Sequence, residues 1–114
     1  MNDNAKLWVA TLRSDIYTQG KGALHDIVED KYCCLGVACK LFTGKLEKNV
    51  QWPYMYYGDT MANDLPDKVR EWLNLSSRSG RYSGSSLICD NDSGATFEEI
   101  ADLIESEPKG LFNE

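Results

Sequence analysis

The chain holds one pair of side chains with the types needed for catalysis. Cys33 and Cys34 adjoin, and the single histidine, His25, lies upstream beside Asp26. A cysteine near a helix N-terminus has its thiolate favoured, and an imidazole facing it across a hairpin would complete a nucleophile and base. Cys33 or Cys34 with His25 would make a small thiol-dependent enzyme. No nucleophile elbow or other thiol signature accompanies the pair. The simpler reading of Cys33, Cys34, Cys39 and the distant Cys89 is reduced thiols, since free cysteine is among the most buried residue types. Zinc is disfavoured because Cys33 and Cys34 point different ways, Cys39 lies more than a helical turn onward, and one histidine leaves a fourth ligand wanting. Asp90-x-Asp92-x-Gly94 looks like the opening of a calcium loop, but Ala95 and Ala101 stand where glycine and a bidentate glutamate are needed. A tight turn through Asn91, Asp92 and Gly94 accounts for it. No metal and no cofactor is expected.

Binding chemistry has a stronger candidate. Trp52-Pro53-Tyr54-Met55-Tyr56-Tyr57-Gly58 is the most aromatic stretch, and one face of one strand cannot bury Trp52, Tyr54, Tyr56 and Tyr57 together. Arg78 and Arg81, in a small-residue stretch, would add positive charge if the fold brings them near. Stacking faces with a guanidinium suit a small nucleotide-like ligand. The same residue types dominate protein-binding hot spots. The alternative is that these rings complete a core around Trp8 and Trp72. An aromatic surface would also serve a homo-oligomer as readily as a foreign target.

The whole chain, 114 residues with 12 Lys plus Arg and 18 Asp plus Glu and a net charge of −6, fits one domain spanning residues 1–114. Nothing approaches the roughly 18 apolar residues of a membrane span, and the polar opening Met1-Asn2-Asp3-Asn4 is not a secretory signal, so a soluble, cytoplasmic domain is expected. From Asp90 onward eight acids face Lys109 alone, whereas residues 1–89 hold ten acids and eleven bases. The excess charge therefore belongs to the C-terminal segment, where a solvated helix face is the plain explanation and mimicry of DNA a variant. Without a basic stripe or a phosphate loop, direct nucleic-acid binding is not expected.

These residues need elements to hold them. Residues 4–16 have the period of an amphipathic helix, with Ala5, Trp8, Val9, Leu12 and Ile16 on one stripe and Asn2, Asp3 or Asn4 available as a cap. Ala23–Asp26 and Lys31–Cys33 suit a small hairpin across Glu29-Asp30. Cys34–Phe42 is apolar all round, as a buried helix is, with Gly36 marking a close backbone approach and Thr43-Gly44 its end. A helix starts near Pro66 with Leu65, Val69, Trp72 and Leu73 inward. Residues 76–86 read as a mobile loop, and Leu87-Ile88-Cys89 as a strand or the approach to a helix. Thr96-x-x-Glu99 is a capping box opening a final helix with Phe97, Ile100, Ala101 and Ile104 inward. The expected fold is α+β, a single compact, mainly helical domain of about four helices with a small β-hairpin or sheet.

Several strings together resemble a family of small proteins from tailed bacteriophage and prophage genomes. They are Trp8-x-x-x-Leu12-Arg13-Ser14, Tyr17-x-Gln19-Gly20-x-Gly22-x-Leu24, Tyr32-Cys33-Cys34-Leu35-Gly36-Val37-x-Cys39, Leu65-Pro66-x-x-Val69-x-x-Trp72-Leu73 and Asn91-Asp92-x-Gly94-x-x-Phe97-x-x-Ile100-Ala101-Asp102. The resemblance implies an accessory protein made in a bacterial host cytoplasm, and it carries no catalytic residue with it. The expected function is non-enzymatic binding that favours infection, either inhibiting a host protein, defence proteins included, or sequestering a small nucleotide-type signal. The binding candidates are Trp52, Tyr54, Tyr56, Tyr57, Arg78 and Arg81.

Overall fold

The computed structural model describes residues 1–26, 28–46 and 64–114. Helix α1 spans Asp3–Arg13 and is opened by Asn2, whose side-chain oxygen accepts the Ala5 N–H at 2.8 Å. Ala5, Trp8, Val9 and Leu12 are buried as their spacing requires. Ile16 does not join them. The helix stops when the Ser14 N–H and hydroxyl both turn back to the Thr11 carbonyl and Asp15 takes a left-handed φ of 61°, so Ile16 faces solvent.

The chain then runs beside its own later segment. Gln19 and Tyr32 form a single parallel bridge, while strands β1 (His25–Asp26) and β2 (Lys31–Tyr32) pair antiparallel as the expected hairpin. Helix α2, Cys34–Leu46, continues through Thr43-Gly44 instead of ending there. Cys34, Leu35, Val37, Ala38, Cys39 and Phe42 are buried, so the helix lies at the centre of the core. Gly36 is required by contact. A Cβ there would sit 1.8 Å from the Leu24 carbonyl oxygen, which also accepts the Cys33 N–H. From the other side the Trp8 indole donates to the Cys34 carbonyl at 2.9 Å.

Helix α3, Asp67–Leu73, starts after Pro66 and ends at Asn74, left-handed at φ 61°. Its Trp72 carbonyl ties it to the start of α1, because the Asn2 and Asn4 side-chain amides both donate to it. Residues 76–86, expected as a mobile loop, instead contain strands β3 (Arg81–Tyr82) and β4 (Ser85–Ser86) in a second antiparallel hairpin. Local polarity hid it: Gly84, in the two-residue turn, supplies a positive φ of 94°, and Gly80, just before β3 at φ 71°, packs directly on Leu87. Helix α4, Leu87–Asp92, follows without a loop, capped by Ser86. Helix α5, Phe97–Glu105, has the anticipated capping box, and it buries Phe97, Ile100, Ala101 and Ile104. Each large apolar side chain so buried contributes about 1.5–3 kcal/mol. The result is a small α+β domain of five helices and two two-stranded sheets among the described residues.

Two polar devices close this assembly. Arg13 of α1 reaches Glu98, Asp102 and Glu105 of α5 at 2.7, 2.8 and 2.6 Å, so the acidic face expected to be merely solvated is gathered by one guanidinium. Deeper, Asn91 is not a turn residue but the fully buried last-turn residue of α4. Its oxygen accepts the Cys34 N–H at 3.1 Å and the Gln19 amide at 2.9 Å, and its nitrogen donates to the Gly20 carbonyl at 2.8 Å. Gln19 in turn donates to the Ala95 carbonyl and accepts the Phe97 N–H. The N–H groups that open α2 and α5 are thereby satisfied by side chains.

Two substitutions test this core by chemical denaturation. Gly36→Ala, which drives a methyl into the Leu24 carbonyl, is expected to cost about 3 kcal/mol despite the better helix propensity of alanine. Asn91→Ala is expected to cost a similar ~3 kcal/mol, since it strands the Cys34 N–H and the Gly20 carbonyl in the interior.

Candidate functional site

The catalytic pair read from the sequence is dismantled by burial. Cys33, Cys34 and Cys39 are all inside the core, and Cys89 is the exposed thiol. The Cys33 sulfur accepts the Gly36 N–H and the Cys34 thiol lies against the Leu87 carbonyl. Burial pushes the Cys33 thiol up to about 11, and it pushes Cys34 and Cys39 well above the ordinary value as well. A thiol that stays protonated at neutral pH is the reverse of an activated nucleophile. His25 is engaged elsewhere: its Nε2 lies 2.9 Å from Asp30, and its ring stacks on Tyr32 with centroids 4.1 Å apart. Among the described residues no three His, Cys, Asp or Glu side chains converge as a metal site, and no helix is long and apolar enough to cross a membrane.

Of the binding candidates, Trp52, Tyr54, Tyr56 and Tyr57 lie outside the described residues. Arg78 and Arg81 are both exposed and flank Gly80 at the entry of the second hairpin. The Arg78 guanidinium approaches Asp64 at 3.4 Å, and its carbonyl accepts the Leu65 N–H at 2.8 Å. Residues 64 and 65, which follow the aromatic stretch in sequence, are thus tied to the arginine loop. Arg81 starts β3, its backbone N–H held by the Ser77 hydroxyl at 2.7 Å, and its side chain has no ion-pair partner among the described residues.

Arg81 borders an open depression of about 540 Å³ lined by Tyr82, Gly84, Ser85, Ser86 and Cys89. Two of these side chains are held by Asp90, which accepts hydrogen bonds from the Tyr82 and Ser85 hydroxyls. Burial, with the Asp90 contact second, raises the Tyr82 pKa, so the phenol stays a proton donor. The hairpin therefore holds hydroxyl oxygens as acceptors beside a guanidinium that has no ion-pair partner among the described residues, an arrangement that suits recognition of polar groups on a shallow surface.

Sequence reasoning missed Gln19, Asn91 and Arg13 as organising residues. For Asn91 a signal existed, because it follows Leu87 by four residues and so shares its inward face. For Gln19 and Arg13 the partners are about 70 to 90 residues away, beyond any local pattern.

The fold and this surface define a small α+β protein that presents a rigid hairpin next to a buried thiol core. Over residues 1–108 the chain matches the family described as a domain of unknown function, DUF8296, and it belongs to that family. No curated protein matches it, and no solved structure does.

The thiol environment makes two linked predictions. A disulfide reagent at neutral pH should label Cys89 alone in the native protein, with the other three reacting only on unfolding. The Cys33 pKa is higher folded than unfolded, so its contribution is present below the ordinary value of 9.0 and lost as pH rises to about 11. Denaturation midpoints should accordingly fall across that window.

Proposed function

We propose that this protein acts by binding, in the cytoplasm of a phage-infected bacterium, and that its target is a host protein which it occupies to favour infection. The observation that carries this reading is the second hairpin, which holds Arg81 exposed and without an ion-pair partner among the described residues, near Arg78, itself anchored at Asp64. Trp52, Tyr54, Tyr56 and Tyr57 end seven residues before that anchor. Arginine, tyrosine and tryptophan are the residues that dominate protein hot spots, and an open surface suits a protein face better than a small ligand, which usually sits in a concave pocket. The bacteriophage resemblance of the Tyr-Cys-Cys-Leu-Gly-Val and Asn-Asp-x-Gly-x-x-Phe strings supplies the setting. Sequestration of a nucleotide-type signal by the same arginines is the competing outcome.

The test is comparative capture from host lysate, followed by titration of the identified, purified protein. Arg78→Glu with Arg81→Glu should weaken binding at least about thirtyfold, as hot-spot arginines do, while leaving the melting curve near that of the native protein. Equal binding by both forms would overturn the assignment of these arginines. Calorimetric titration with nucleotides then decides the competing outcome, since saturable heat lost in the double variant would replace the protein target by a small ligand.

A further inference from the structure

The second hairpin carries a pattern of donors and acceptors that the fold itself leaves unanswered. Arg81, Tyr82, Gly84, Ser85, Ser86 and Cys89 line one open depression of about 540 Å³. In register Tyr82 faces Ser85 and Arg81 faces Ser86, and although the two pairs alternate along the strands, all four residues border the same hollow. The hairpin is braced at both ends, by the Ser83 N–H donating to the Lys109 carbonyl and the Leu87 N–H to the Gly80 carbonyl, each at 2.9 Å. A site held in this way loses little entropy on binding.

Hydrogen positions decide what the hollow can recognise. The Tyr82 and Ser85 hydroxyls both donate to Asp90, Ser85 at 3.0 Å, so toward a ligand their oxygens can only accept. Burial raises the Tyr82 pKa and keeps that phenol protonated. The Ser86 oxygen accepts the Cys89 N–H at 3.1 Å, which leaves its own hydrogen to donate. Arg81 has N–H donors and no acceptor, and among the described residues it is the one charged side chain lining the depression.

Most classes of group leave part of this pattern unmet. An ammonium meets the charge of Arg81. A carboxylate or phosphate suits Arg81, but its oxygens then face the lone pairs of Tyr82 and Ser85 with the Asp90 carboxylate behind them. An apolar group answers neither side. A primary carboxamide is neutral and carries a carbonyl acceptor beside two N–H donors. We propose that the hairpin reads an asparagine or glutamine side chain on the host protein, Arg81 taking the amide carbonyl and the Tyr82 and Ser85 oxygens taking its N–H groups. This deepens the host-binding reading and rests on it for the source of the amide, since a shallow hollow suits a side chain presented by a protein face better than a whole small ligand.

The full chain, labelled with nitrogen-15, is titrated with propionamide, propionate, propylammonium and uracil while the backbone amide signals of residues 81–89 are followed. Propionamide should shift them saturably and bind at least about tenfold tighter than propionate, which leaves acceptors facing acceptors. Tyr82→Phe with Ser85→Ala should erase that preference. If the double variant melts early, Ser85→Ala alone, which keeps the Tyr82 bond to Asp90, should still reduce it. In a host protein captured as above, one asparagine-to-aspartate or glutamine-to-glutamate change should weaken binding at least about tenfold. Equal binding of propionamide and propionate, tightest binding of propylammonium, or a preference that survives in the variants would overturn the amide site. Tightest binding of uracil would overturn the side-chain source in favour of a base edge. A captured host protein indifferent to every such change would overturn the amide site and leave the host-binding reading intact, whereas no capture with the propionamide preference intact would overturn the host target alone.

Discussion

Asn91 is a neutral amide with no exposure to water, and its hydrogen-bonding groups are occupied by three residues, Gln19, Gly20 and Cys34, from two distant parts of the chain. Burying an amide without partners would cost several kcal/mol, so the site exists only when those parts arrive together. The Gln19–Gly20 segment, the first turn of α2 and the end of α4 meet there, and Gln19 extends the connection to the first residue of α5. Four elements that share no local sequence signal are thus made mutually dependent. The apolar core supplies most of the driving force, whereas this network specifies one arrangement of it.

Charge works at the periphery by the same logic on a weaker scale. Arg13 faces Glu98, Asp102 and Glu105, and the chain's amino group lies 2.9 Å from Glu107, so the acidic C-terminal segment is drawn onto the first helix. These pairs are solvent-exposed and screened, and they contribute orientation more than stability. What they leave over is informative: the Arg81 guanidinium on the second hairpin has no ion-pair partner among the described residues.

Burial also decides what the cysteines are. In sequence, an adjacent pair with a nearby histidine allows both catalysis and packing. In space the thiols lie among Leu24, Leu35 and Leu87 with their proton affinity raised, and His25 is stacked on a tyrosine. Free thiols in such a setting behave as small hydrophobes.

Much of the fold was legible because it is written in short-range periodicity. The stripe of α1 up to Leu12, the apolar run of α2, the proline before α3 and the Thr96–Glu99 box each follow from contacts within four residues, where side-chain spacing and backbone capping act directly. Gly36 was readable for a related reason, since a glycine within a buried helix implies something pressing on it. Ile16, the hairpin at Arg81–Ser86 and the role of Asn91 were not readable in that way. A left-handed Asp15, a glycine packed on Leu87 and an amide bonded across some seventy residues are set by neighbours that only the folded chain supplies. By itself, then, the sequence determined four of the five described helices, most of their inward faces and the acidic character of the last one, but not the helix over Leu87–Asp92. Tertiary structure alone decided which polar groups are consumed inside and which arginines and carboxylates remain at the surface, because the desolvation that separates those fates depends on contacts made between distant segments.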